Sequence, residues 1–201
     1  MKSETYYTIE RTGTAEFKDR GSRFVACVRP IKSAEDFKIQ LNEIKKEHPK
    51  ATHHCFAYRL GLDGAAYRVS DDGEPSGSAG RPILGQIDSK ELVNVLVVVV
   101  RYFGGTLLGV PGLIHAYKSV AALALQTTPL VQKQVEQEFM VHFDYTQMNE
   151  VMMLVRQYHC RIVRQEVQLF CEMLLAVPQN RVEEVRYKFQ EMRNVEISRV
   201  G

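Results

Sequence analysis

Three segments of the chain bring together residue types capable of chemistry. The first is Arg101-Tyr102-Phe103-Gly104-Gly105, followed by Thr106–Gly109 and a helix opening at Pro111. A fixed cation, a glycine turn and a helix N-terminus delivered to one place form a cradle for an anion. Lys118 on that helix and the hydroxyls of Ser76 and Ser78 are the further candidates for phosphate or nucleic-acid contact. The second segment is Thr52-His53-His54-Cys55, and the third is the carboxylate- and glycine-rich run Asp71–Gly80.

Each segment also has a plainer reading. Adjacent strand side chains point to opposite faces, so only one of His53 and His54 can join a given site. One of them, together with Asp71, Asp72 or Glu74, would suit a metal-assisted hydrolase or a nucleotide- and phosphate-handling enzyme. The carboxylates also read as turn formers, and the sequence suits them better still as clamps on Arg101 or Lys118 that stiffen the loop. Tyr102 is a base-stacking candidate or a core residue. Several motifs fail on spacing. Val110-Pro111 stand where a P-loop needs Lys-[Ser/Thr], and Gly77-Ser78-Ala79-Gly80 is one residue short of a nucleophile elbow. No catalytic residue is assigned, and no metal or cofactor is expected.

The elements that must position these groups are legible. Val93–Val100 has seven apolar residues of eight, six of them valine. That composition predicts a strand buried on both faces. Glu16–Lys18 and Arg23–Arg29 flank Asp19-Arg20-Gly21-Ser22 as a hairpin. Ser33 and Asp36 open a helix carrying Phe37, Leu41 and Ile44, closed at His48-Pro49. His53–Leu60 and Ala65–Ser70 form a second hairpin. A short helix with Ile83, Leu84 and Ile87 follows, with Ser78 as its N-cap. The helix from Pro111 to about Gln126 buries a stripe that includes Leu113, Tyr117 and Leu125.

Thr127-Thr128-Pro129 marks a boundary, giving domains 1–130 and 131–201. Beyond it the pattern reads βαββαβ, a ferredoxin-like order. Its first strand turns Glu136, Glu138, Met140 and His142 outward. The aromatic ladder of an RNA-recognition module is missing, and acids on that face repel phosphate. Arg181, Arg186, Arg193 and Arg199 form either a basic surface or a solvated face.

Net charge is +2, too small for a polycation that coats nucleic acid. Cys27, Cys55, Cys160 and Cys171 lack metal or disulfide spacing and suit buried positions. The opening Met1-Lys2-Ser3-Glu4 has no apolar stretch and the valine run is too short to span a bilayer, so a cytoplasmic location without membrane partner is expected.

The order Gly80-x-x-Ile83-Leu84-x-x-Ile87, Leu92, Val98-Val99, Arg101-Tyr102-Phe103-Gly104-Gly105, Leu108-Gly109 resembles the signature of the YigZ/IMPACT family. The Asp72-Gly73-Glu74-Pro75 loop and the His53-His54-Cys55-x-Ala57-Tyr58 strand resemble it too. The layout is similar to the bacterial two-domain branch over nearly the full length. The resemblance implies an α+β fold with two domains. The first is like ribosomal protein S-five domain two and the second is ferredoxin-like, a pairing similar to the last two domains of elongation factor G. It also implies regulation of translation, with the ribosome, RNA or a translation-associated protein as partner. The RWD domain of eukaryotic members has no counterpart here, so their kinase-activator partner is not carried over.

Overall fold

The computed structural model describes residues 4–200; residues 1–3, part of the opening Met1-Lys2-Ser3-Glu4, and residue 201 lie outside it. The chain divides into a unit of Tyr6–Lys133 and a second unit of residues 134–200 with residues 4–5. Among the described residues no helix is long and apolar enough to cross a membrane.

In the first unit, β1 (Thr5–Ile9) pairs with β7 (Leu130–Gln134) as a separate ribbon. That pairing joins segments more than a hundred residues apart, and local pattern does not reveal it. The main sheet consists of β2 (Gly13–Asp19), β3 (Ser22–Pro30), β4 (His53–Leu60), β5 (Ala66–Ser70) and β6 (Val95–Tyr102). Its order is β2-β3-β6-β4-β5, with every neighbour antiparallel. The valine strand β6 is central. Val95, Val97 and Val99 face α2 (Gly80–Asp88) and α3 (Gly109–Thr127), while Leu96, Val98 and Val100 face α1 (Ala34–Glu47). Helices on both faces explain why this strand is apolar throughout, although antiparallel sheets commonly leave one face wet.

Local chemistry sets the element ends. Arg20 and Gly21, at φ 43° and 80°, make the two-residue turn between β2 and β3. The Ser33 hydroxyl accepts the Asp36 amide at 3.1 Å and caps α1. Two expectations are corrected. Ser78 does not cap α2, because its hydroxyl donates to the Pro75 carbonyl at 2.6 Å and the N-cap position falls to Ala79. Helix α3 starts at Gly109, two residues before Pro111, since a first-turn N–H has no intrahelical partner to lose.

The second unit runs β8 (Glu136–Asp144), α4 (Met148–Gln157), β9 (Arg161–Glu166), β10 (Phe170–Pro178), α5 (Val182–Glu191) and β11 (Val195–Arg199). Its antiparallel sheet has the order β11-β8-β10-β9, the ferredoxin-like arrangement. Val167–Leu169 turn the chain back from β9, and the third strand begins at Phe170. Phe139, Val141, Phe143, Met173 and Leu175 pack against Val151, Val155, Val185 and Phe189 of the two helices. The opposite sheet face, with Glu136, Glu138, Met140 and His142, carries no helix among the described residues. The expected fold class, α+β with two domains, is the observed one. All four cysteines are free and buried, two in each unit.

Leu96 is fully buried between β6 and α1. Leu96→Ala is expected to destabilise the first unit by about 2–5 kcal/mol, seen as a lower urea midpoint with an unchanged slope.

Candidate functional site

Arg101 is the last residue of β6 on the face covered by α2 and α3. In register it sits between Phe24 of β3 and His53 of β4, so three strands place one residue each in the final row of the sheet. The alternation that buries Val95, Val97 and Val99 carries the guanidinium inward behind them, leaving Arg101 only 5% exposed.

Its charge is matched there. Arg101 Nη1 donates to Glu74 Oε1 at 2.7 Å, and Nη2 donates to the Ser22 hydroxyl at 3.3 Å. The Tyr117 hydroxyl donates to the same Glu74 oxygen at 2.8 Å. Phe24 and Phe103 each lie with their ring centre 5.5 Å from the guanidinium carbon. Arg101 Nε is buried with no hydrogen-bond partner. The Asp71–Gly80 and Arg101–Gly109 segments therefore meet, joined by a buried ion pair.

The Cys55 sulfur lies 2.9 Å from the Asp71 carbonyl oxygen and 3.3 Å from the Tyr117 hydroxyl. Burial, with the carboxylates of Glu74, Asp72 and Asp71 nearby, pushes its thiol up to about 12. Burial, then Cys55 and Glu74, likewise raises the Tyr117 phenol well above its ordinary value. Both groups stay protonated at neutral pH, so Cys55 is no thiolate nucleophile and Tyr117 is a donor.

Asp71 performs the capping expected of Ser78. One carboxylate oxygen accepts the amides of Ala79 at 3.0 Å and Gly80 at 2.8 Å, and the other accepts Gly77 at 2.8 Å. Burial alone would raise its pKa, but the three amides and Arg81 outweigh it and hold Asp71 below the ordinary carboxylate value. Gly104 locks the other loop. A Cβ there would fall 1.9 Å from the carbonyl carbon of Gly21, and its amide donates to Ser22 Oγ at 3.2 Å.

The remaining candidates separate. His53 donates from Nδ1 to the Asp72 carbonyl at 2.7 Å, and its Nε2 stands 3.9 Å from Glu74 Oε1. His54 points the other way, with Nε2 3.2 Å from the His48 carbonyl, and burial lowers its pKa. The Asp72 carboxylate accepts the His54 amide at 2.6 Å. Tyr102 OH lies 2.7 Å from His48 Nδ1, and Arg23 stacks over the Tyr102 ring. Gly105 and Ser76 are exposed, whereas Ser78 is buried. Lys118 is exposed but lies nine residues into α3, roughly 13 Å along the axis from its first residue. The Arg101 guanidinium is turned inward against Glu74, while Lys118 is exposed on α3. The buried groups singled out least by sequence are Ser22 and Tyr117, whose polar tips meet Arg101 and Glu74 only through long-range packing. Among the described residues no group of three or more His, Cys, Asp or Glu side chains is placed to hold a metal. The hydrolase reading thus lacks a ligand cluster at His53 and Glu74.

A two-domain α+β protein with an ion-paired loop end on its larger sheet is the class these features define. The Impact N-terminal domain family model matches residues 20–125. An IMPACT family member of Haemophilus influenzae is 35% identical over 81% of this chain and 80% of its own length. The Escherichia coli IMPACT family member YigZ is 33% identical over 85% and 84%. A solved crystal structure of a hypothetical protein superposes with a TM-score of 0.75, at 29% identity, covering 99% of this chain and 98% of that one. The chain belongs to the IMPACT family.

Removing one partner of the buried pair leaves the other charge stranded. Arg101→Ala is expected to cost about 3–5 kcal/mol, and the double change Arg101→Met/Glu74→Leu less than that, measured by urea denaturation. The native Asp71 carboxyl titrates below its unfolded value, so its stabilisation is complete above that value and disappears as pH falls through the native one. Asp71→Asn should cost about 1–2 kcal/mol at pH 7. The gap to wild type should narrow below about pH 4.

Proposed function

We propose that the protein is a translation-associated regulatory protein that binds an anionic partner, the RNA backbone of the ribosome, at the loop end of the first unit's sheet. The observation that carries this reading is the pair of loops tied by Arg101 and Glu74. They hold the exposed residues Gly104–Leu107 at the N-terminus of α3, where no side chain caps the helix. Exposed amides at such an end favour phosphate. The cations that serve it are Arg20 and Lys50, not Arg101 and Lys118. Arg20 sits on the turn whose Gly21 touches Gly104. Lys50 precedes Thr52, whose amide and hydroxyl bond to the backbone of Arg101 and Phe103. Both are exposed and make no ion pair among the described residues. Phe103, half-exposed beside them, offers a ring to an unstacked base. Membership of a family whose resemblance points to translation supports the process; contacts of this kind position a protein on RNA without reading sequence.

Co-sedimentation with ribosomes across a salt series tests the reading. Wild type should bind at low salt. Arg20→Ala/Lys50→Ala should bind more weakly, with a salt slope shallower by about two. Lys118→Ala should behave as wild type. Equal binding by the double variant and wild type, or no binding by wild type to ribosomes or RNA, defeats it.

A further inference from the structure

The uncovered face of the second unit's sheet has a charge pattern that the first unit's loop end does not explain. Register places Glu166, Glu172, His142 and Glu196 side by side across β9, β10, β8 and β11. Glu172 is satisfied locally, by Arg164 at 2.8 Å and His142 at 3.2 Å. Glu166 and Glu196, on either side, are exposed and make no ion pair among the described residues. Glu166 stands directly opposite Glu172, a like-charge pairing that weakens a sheet. These residues, with Phe170 and Asp144, line a groove of about 790 Å³. Phe170 is 77% exposed and the adjoining Leu169 73%, the most exposed large apolar pair of this unit. The row next to the glutamates is apolar at its centre, with Met140 opposite Leu174.

We propose that this face is a docking surface for an extended arginine- or lysine-rich segment of a partner polypeptide. Charge complementarity selects the occupant: Glu166 and Glu196, exposed on either side of the Arg164-paired Glu172 and without an ion pair among the described residues, attract cations and would repel a phosphate backbone. Spacing fits as well. Four strands set about 4.8 Å apart make the row roughly 14 Å long. Same-face side chains of an extended segment recur about every 6.8 Å, so basic residues at alternate positions span it in two steps. The guanidiniums bond the outer carboxylates, where Arg offers a fork matched to each. Phe170 supplies a ring for a guanidinium to stack on. A cationic occupant also relieves the Glu166–Glu172 repulsion.

The experiment uses the full chain and a labelled peptide of alternating Arg and Ser with seven residues, followed by fluorescence anisotropy. The peptide with Glu replacing Arg and a single-stranded RNA oligonucleotide serve as contrasting probes. Wild type is expected to bind the basic peptide in a salt-sensitive manner and to ignore the acidic one. Glu166→Gln/Glu196→Gln should weaken the basic peptide at least tenfold, and Phe170→Ala should weaken it severalfold. All three positions are exposed, and an unchanged urea midpoint checks the fold. Arg20→Ala/Lys50→Ala should leave the peptide untouched, which separates this surface from the one proposed on the first unit. Peptide binding within twofold of wild type in the double glutamine variant overturns the proposal. So does absence of binding by wild type, or RNA affinity that drops in that variant.

Discussion

The ion pair between Arg101 and Glu74 is the constraint on which the loop end of the first unit depends. Two charges withdrawn from water are tolerated when they meet closely and most of their remaining hydrogen-bonding groups are used; here only Arg101 Nε stays without a partner among the described residues. Here the carboxylate oxygen takes both the guanidinium and the Tyr117 hydroxyl, while Ser22 takes a second guanidinium nitrogen. Four parts of the chain are thereby fixed to one point: the start of β3, the loop before α2, the end of β6 and the middle of α3. The guanidinium that looks from sequence like a ligand for an outside anion is neutralised from within, by a carboxylate of the same chain.

Much of the framework could be read in advance because it rests on local rules. The valine strand, the Ser33 cap, the hairpin at Arg20-Gly21 and the inward stripe Leu113, Tyr117 and Leu125 each follow from periodicity or turn chemistry. The failures share a cause. The cap of α2 comes from Asp71, eight residues upstream of Ala79 and on the far side of a loop, so no spacing rule for caps points to it. The β1–β7 ribbon joins distant segments. In the candidate site, the carboxylates of Asp71–Gly80 read as metal or acid-base groups, as turn formers or as clamps, and only the long-range Arg101–Glu74 contact makes Glu74 a clamp. Lys118 is exposed on α3, one residue after Tyr117, whose hydroxyl does reach the ion pair.

Each unit thus shows a distinct surface chemistry. The first unit presents backbone amides and two exposed cations around a glycine loop, and its buried acids serve structure. The second presents carboxylates on an open sheet, while two of its helical arginines, Arg181 and Arg186, are engaged by Glu184 and Glu183. A chain with almost balanced total charge thus carries surfaces of opposite local sign, something that net charge conceals.

The placement of the cysteines gives this protein a built-in chemical clock. Cys27 and Cys55 lie under the first sheet's helices, and Cys160 and Cys171 lie in the second core. A thiol reagent can reach them only when the surrounding packing opens. Cys55, held as an undissociated thiol by its burial, reports the same end of the sheet that the ion pair secures. Timed alkylation followed by peptide mass mapping would date the opening of each half of the molecule separately, without any added label.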